Sequence, residues 1–160
     1  MAEEKRGCIV AVRIRGNIGI RPEFKKTLRL MHLPKRNHST ILSSTSSHIG
    51  MLQKVKDYIT WGEANSETVY LILREKGKIV GDEDLTDRYV KEKLGQKSLR
   101  AFADAITLSE VELWKTPGVK PVLRLHPPKG GFRKSIKIPY PNGELGYRGK
   151  DINRLLEKMV

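Results

Sequence analysis

The chain has 160 residues, 38% of them hydrophobic, with 31 Lys and Arg against 18 Asp and Glu and a formal net charge of +13. That length suits one domain, or one domain with a large insertion, and a modest core. One cysteine, Cys8, excludes a disulfide-stapled scaffold, and the longest apolar run, Cys8–Val12, falls far short of the roughly 18 residues of a membrane span.

Taken in chain order, Cys8–Ile14 is apolar and β-branched and predicts a strand. Arg13 and Arg15, two residues apart, share one face of it. Gly16 and Gly19 bracket a loop, and Pro22 suits the first position of a helix carrying Phe24, Leu28 and Met31 on one stripe. Pro34 closes that helix, Lys35–His38 connects, and Ser39–Ser43 predicts a second strand. The serine-rich stretch Ser43–Ser47 offers N-caps to a helix bearing Ile49, Leu52, Val55 and Ile59, and a third strand begins near Tyr58–Trp61. Residues 1–63 therefore form a β-α-β-α-β core of an α+β fold.

Residues 64–118 predict a helical insertion, its three helices capped by Ser66, Thr86 and Ser98. Residues 119–160 are a basic extension. Six of the eight prolines lie between Pro117 and Pro141, so regular helix is excluded there and only a short edge strand within Val119–Leu125 is expected. His126–Lys150 reads as an extended basic loop with too few apolar residues for a core. Ile152, Leu155, Leu156 and Met159 then place an apolar stripe on a C-terminal helix that must dock.

Charge follows this division. Residues 1–63 carry 12 basic and 5 acidic side chains, residues 64–118 carry 9 and 10, and residues 119–160 carry 10 and 3. Two basic ends flank a nearly neutral middle, the pattern of a protein with one polyanion-facing side. No apolar leader follows Met1–Arg6, so a cytoplasmic protein in a reducing compartment, without membrane partner, is expected.

Sites for other chemistry are poorly supported. Gly16-Asn17-Ile18-Gly19 lacks the Gly-Lys-Ser/Thr ending of a phosphate loop and the third glycine of a dinucleotide fold. His32, His38, His48 and His126 have no metal-ligand spacing, and Asp82-Glu83-Asp84 lacks the spaced carboxylates of a calcium loop. No cofactor, metal or small-molecule substrate is expected. Cys8 belongs to a strand core, and no carboxylate pair or nucleophile set suggests catalysis.

Cations interleaved with aromatics remain. Lys129, Arg133, Lys134 and Lys137 surround Phe132, and Tyr147 and Arg148 follow. A second basic set comprises Arg13, Arg15, Arg21, Lys25, Lys26, Lys35 and Arg36. Cations neutralise phosphates, and aromatic faces stack on unpaired bases, so these residues are candidate nucleic-acid contacts.

Val12–Pro22, Lys26-Thr-Leu-Arg-Leu30, Asn37-His38, Gly50–Glu63, Arg124–Phe132 and Gly143–Gly149 together resemble the large-ribosomal-subunit protein family L-thirty. The long form looks like its archaeal branch, related to the eukaryotic L-seven. The resemblance implies a three-stranded antiparallel sheet, no catalytic activity, and a structural role on large-subunit ribosomal RNA beside neighbouring ribosomal proteins. It also places the loops Ile18–Pro22 and Lys35–His38, hence Asn37 and His38, near RNA. The competing readings are an RNA-processing or RNA-modifying enzyme or its accessory protein, which would need a site, and a DNA-binding regulator, which would need a helix-turn-helix.

Overall fold

The computed structural model describes residues 7–160, and the charged segment Met1–Arg6 lies outside them. Strand β1 (Cys8–Arg13) is buried along its whole length. Its alternation sends Cys8, Val10 and Val12 to one core and Ile9 and Ala11 to the other. A strand covered on both faces needs a continuous apolar run, which is what this stretch of the sequence supplies. β1 pairs antiparallel with β2 (His38–Ser43) on one side and β3 (Ile59–Glu63) on the other.

Helices α1 (Pro22–Leu30) and α2 (Ser46–Lys54) complete the β-α-β-α-β core and cover the Ile9 face with Leu28, Met31, Leu52 and Val55. Pro22 opens α1. Thr45, within the serine-rich stretch, caps α2 by accepting from His48 N at 3.2 Å. The opposite face carries α3 (Ser66–Lys76), α4 (Asp87–Lys93), α5 (Leu99–Thr107) and α6 (Ile152–Met159), whose apolar residues join Cys8, Val10 and Val12 in one cluster. Thr86 and Ser98 cap α4 and α5 as expected. Asn65 rather than Ser66 caps α3, its Oδ1 accepting from Thr68 N at 2.8 Å.

The sheet has six strands, not three, in the order β4-β2-β1-β3-β6-β5. The expected antiparallel trio β2-β1-β3 is its middle. Short β4 (Leu123–Arg124) covers the outer edge of β2, and β6 (Gly143–Tyr147) lies parallel on β3. β5 (Ser135–Pro139) lines the far side of β6 in an irregular register. The expected extended basic loop thus contains two strands. Their order comes from backbone pairing on a sheet edge, which apolar counting does not measure.

Gly62 admits the chain's last elements. A Cβ there would lie 1.9 Å from the Gly149 carbonyl oxygen and 2.9 Å from Ile152 Cγ2, so only glycine lets this turn and the start of α6 press onto β3. The four apolar residues of the α6 stripe, Ile152, Leu155, Leu156 and Met159, are all buried.

Strand directions gather the loops that matter. β1 ends with Arg13 opposite Ile59, where β3 begins, and β2 begins with His38 opposite Arg124. β6 runs with β3, so its start at Gly143 lies toward this same end of the sheet. The segments after β1, before β2, after β4 and before β6 therefore emerge together.

Candidate nucleic-acid interface

Arg13 organises this end of the sheet. It is only 1% exposed, yet no carboxylate among the described residues pairs with it. Its Nε donates to Arg15 O at 2.9 Å, Nη1 to Leu33 O at 2.9 Å and Nη2 to Asn17 Oδ1 at 2.5 Å. Asn37 N donates to the Arg13 carbonyl at 2.8 Å. One guanidinium thus ties together the strand end, the turn that follows it and the segment behind α1. Burial lowers the Arg13 pKa, against a raising influence from Tyr58, but an arginine retains its proton at neutral pH. The charge is held in place by neutral acceptors and is not cancelled.

Around it, Arg21, Lys25, Lys26, Lys35 and Arg36 are exposed, and Arg15 lies over the Tyr58 ring at 5.4 Å. Arg13, Asn17, Lys25, Arg29, Pro34 and Lys35 line a cleft of about 260 Å³. Arg29 and Arg124 were not among the sequence candidates. Arg29 sits one helical turn beyond Lys25, so both face the cleft, and that i, i+4 spacing was the available signal. Arg124 is revealed only by its pairing opposite His38.

Asn37 adopts a left-handed backbone, φ 65°, a conformation that asparagine tolerates. Its Oδ1 and His38 Nδ1 are buried without a partner among the described residues. Burial, then repulsion from Arg124, Lys35 and Arg13, lowers the His38 pKa and favours the neutral imidazole.

The C-terminal candidates are placed differently. Lys129, Arg133 and Lys137 are exposed and make no ion pair among the described residues. Lys134 Nζ donates to Pro141 O at 2.5 Å and lies over the Tyr140 ring at 5.4 Å. Phe132 packs against the α3–α6 core. Arg148 is buried and donates to Thr60 Oγ1 at 2.7 Å and Glu144 Oε2 at 2.9 Å. Tyr147, 53% exposed, donates its hydroxyl to Glu63 at 2.7 Å and lies near Trp61, ring centroids 6.2 Å apart. The geometry therefore brings Arg13, Arg15, Arg21, Lys25, Lys26, Lys35, Arg36, Asn37 and His38 to one end. Tyr147 and Arg148 sit further along β3 and are engaged internally.

Groups that might suggest catalysis are otherwise employed. Burial pushes the Cys8 thiol up to about 11, which makes it a poor nucleophile. Ser43 Oγ donates to Glu112 at 3.0 Å and lies 3.4 Å from His48 Nδ1, but that nitrogen is 2.9 Å from the Ser43 backbone carbonyl, to which it must donate, so it is no base for the hydroxyl. Among the described residues, no group of three or more His, Cys, Asp and Glu is placed to hold a metal, and no helix is long and apolar enough to cross a membrane.

The family profile of ribosomal protein L30p/L7e matches residues 9–59. The large ribosomal subunit protein uL30 of Archaeoglobus fulgidus is 48% identical over 92% of this chain and 97% of its own length. The chain belongs to the uL30 family. The uL30 proteins of Methanopyrus kandleri and Caldivirga maquilingensis are 45% and 43% identical, over 92% and 99% of this chain. The uL30 family is one of structural, non-enzymatic ribosomal proteins. Its matched span runs from β1 to the start of β3 and includes every candidate from Arg13 to His38.

Proposed function

We propose that the basic end of the sheet holds large-subunit ribosomal RNA by its phosphates. One observation carries this reading. Residues 13–36 contain eight Lys and Arg and a single carboxylate, Glu23, and none of those cations is in an ion pair among the described residues. Arg21, Lys25, Lys26, Arg29, Lys35 and Arg36 supply the direct contacts, and Arg13 positions the loops that carry them. Lys129, Arg133 and Lys137 make a second, weaker contact near β5 and β6. The near-neutral segment 64–118 faces away, toward neighbouring ribosomal proteins. Recognition is of RNA shape and backbone, because Lys and Arg gain by displacing condensed counterions rather than by reading bases.

The test is salt dependence. The full chain should bind large-subunit ribosomal RNA with log affinity falling linearly in log salt, by roughly 0.7 to 0.9 per phosphate contact. Replacing Arg21, Lys25, Lys26 and Lys35 together by Ala should reduce the slope by about 3. An unchanged slope would mean that these cations do not face phosphate.

A further inference from the structure

The turn between β1 and α1 holds a side chain that phosphate neutralisation does not use. Ile18 is 99% exposed, the most exposed large hydrophobic residue among those described. It occupies the second position of a tight turn closed by Ile20 N donating to Asn17 O at 3.3 Å. Gly19 follows at φ 72°, the positive value such a turn requires at its third position. Asn17 is in turn fixed to the buried Arg13 guanidinium. The turn is thus pinned to the sheet, and a β-branched residue with few χ1 options stands at its tip. A group presented this rigidly loses little freedom when it is covered.

Its surroundings decide what covers it. Arg15 and Arg21 flank the turn, and the cleft containing Lys25, Arg29 and Lys35 shares Asn17 with it. Val80 makes the contrast. It is 73% exposed, but the Asp82 and Asp84 carboxylates of its turn are paired with Lys120, on the neighbouring segment, and Lys78. An apolar protein surface docking on Ile18 would have to bring several carboxylates to match the unpaired cations. An unstacked nucleotide offers an apolar base face and surrounding phosphates in one ligand. We propose that Ile18 is an apolar wedge that packs against an unstacked base of the RNA gripped by the neighbouring cations. This rests on the RNA reading above and adds a contact that carries no charge.

The full chain and its Ile18→Ala and Ile18→Ser variants are compared for binding to protein-free large-subunit ribosomal RNA across a salt series. Acylation of RNA 2′-hydroxyls is followed in parallel. The wedge requires about tenfold weaker binding by both variants, the loss that follows from uncovering an aliphatic side chain. The salt slope must stay unchanged, and so must the melting of the free protein. A nucleotide made reactive by the wild-type complex should return to its free reactivity with either variant. If the variants bind as tightly as wild type while the four-cation variant loses slope, the wedge is refuted and the RNA reading stands. A loss that appears only when other subunit proteins are present assigns Ile18 to a protein contact and equally refutes the wedge. If wild type itself shows no salt-dependent binding, both readings fail.

Discussion

The first and third regions of the chain carry the same surplus of positive charge, +7 each, but use it differently. Each buries one arginine. Arg13 is held by two backbone carbonyls and an asparagine amide oxygen, and no carboxylate among the described residues cancels it. Arg148 is closed by Glu144, the two side chains 6% and 10% exposed, and it lies over Tyr140 at 5.4 Å. The first arrangement leaves a fixed positive charge behind a row of exposed cations. The second makes a locally neutral brace that seats β6 on β3 through Thr60. A count of basic residues therefore overstates the third region's capacity for phosphate, because part of its charge serves the fold.

The contrast breaks most readily at the two buried arginines. Arg148→Ala strands the Glu144 carboxylate in the interior and should cost about 3–5 kcal/mol in urea unfolding. Adding Glu144→Leu should return most of that loss, because the uncompensated charge is then gone. Arg13→Met frees only neutral acceptors at the edge of a loop region and should cost about 2 kcal/mol. Equal losses for the two single variants, or no recovery in the double variant, would erase the distinction between a closed pair and an open charge.

A smaller effect is expected at the exposed cations. Replacing Lys129, Arg133, Lys134 and Lys137 by Ala should reduce the salt slope of RNA binding by about 2, against about 3 for the four-residue set of the first region. Lys134 is the reason for the deficit, since its ammonium is occupied by the Pro141 carbonyl and the Tyr140 ring. Both variants should unfold within about 0.5 kcal/mol of wild type, as surface substitutions do. A larger stability loss in the C-terminal variant would mean that these lysines and Arg133 belong to the brace.

Local pattern made the first strand and helix, and the last helix, legible. The run from Cys8 to Arg13, the proline at the start of α1, and the four-residue stripe of α6 each announce an element through short-range chemistry. The two outer strands beyond β3 were hidden because their stability is borrowed. Ser135–Pro139 is mostly exposed and contains a proline, and Gly143–Tyr147 contains two glycines, so neither reads as a strand until an open sheet edge is supplied. The site was legible as charge but not as geometry. Sequence spacing could not reveal that Phe132 faces a core, that Arg148 faces a carboxylate, or that Arg124 stands beside His38.

The subtlest difference between the regions is the sign of the local field, and titration reads it. Near Tyr147, the Glu63 carboxylate holds the phenol proton and raises its pKa. Near His38, burial and then Arg124, Lys35 and Arg13 repel the added proton and lower the pKa. In the unfolded chain, His38 takes up that proton at about pH 6.5. Below that pH the unfolded state binds more protons than the folded one, so this residue's contribution to stability is complete above about pH 6.5 and declines as pH falls toward the folded value. Unfolding measured across pH 5 to 8 should show that decline in wild type and a shallower one in His38→Gln, where the titrating group is absent. The smallest change comes from combining Lys35→Ala with native His38. It removes one repelling charge, so the folded pKa rises and the decline becomes gentler without disappearing. A His38 pKa that does not move on loss of Lys35 would show that this lysine adds nothing to the positive field attributed to this end of the sheet.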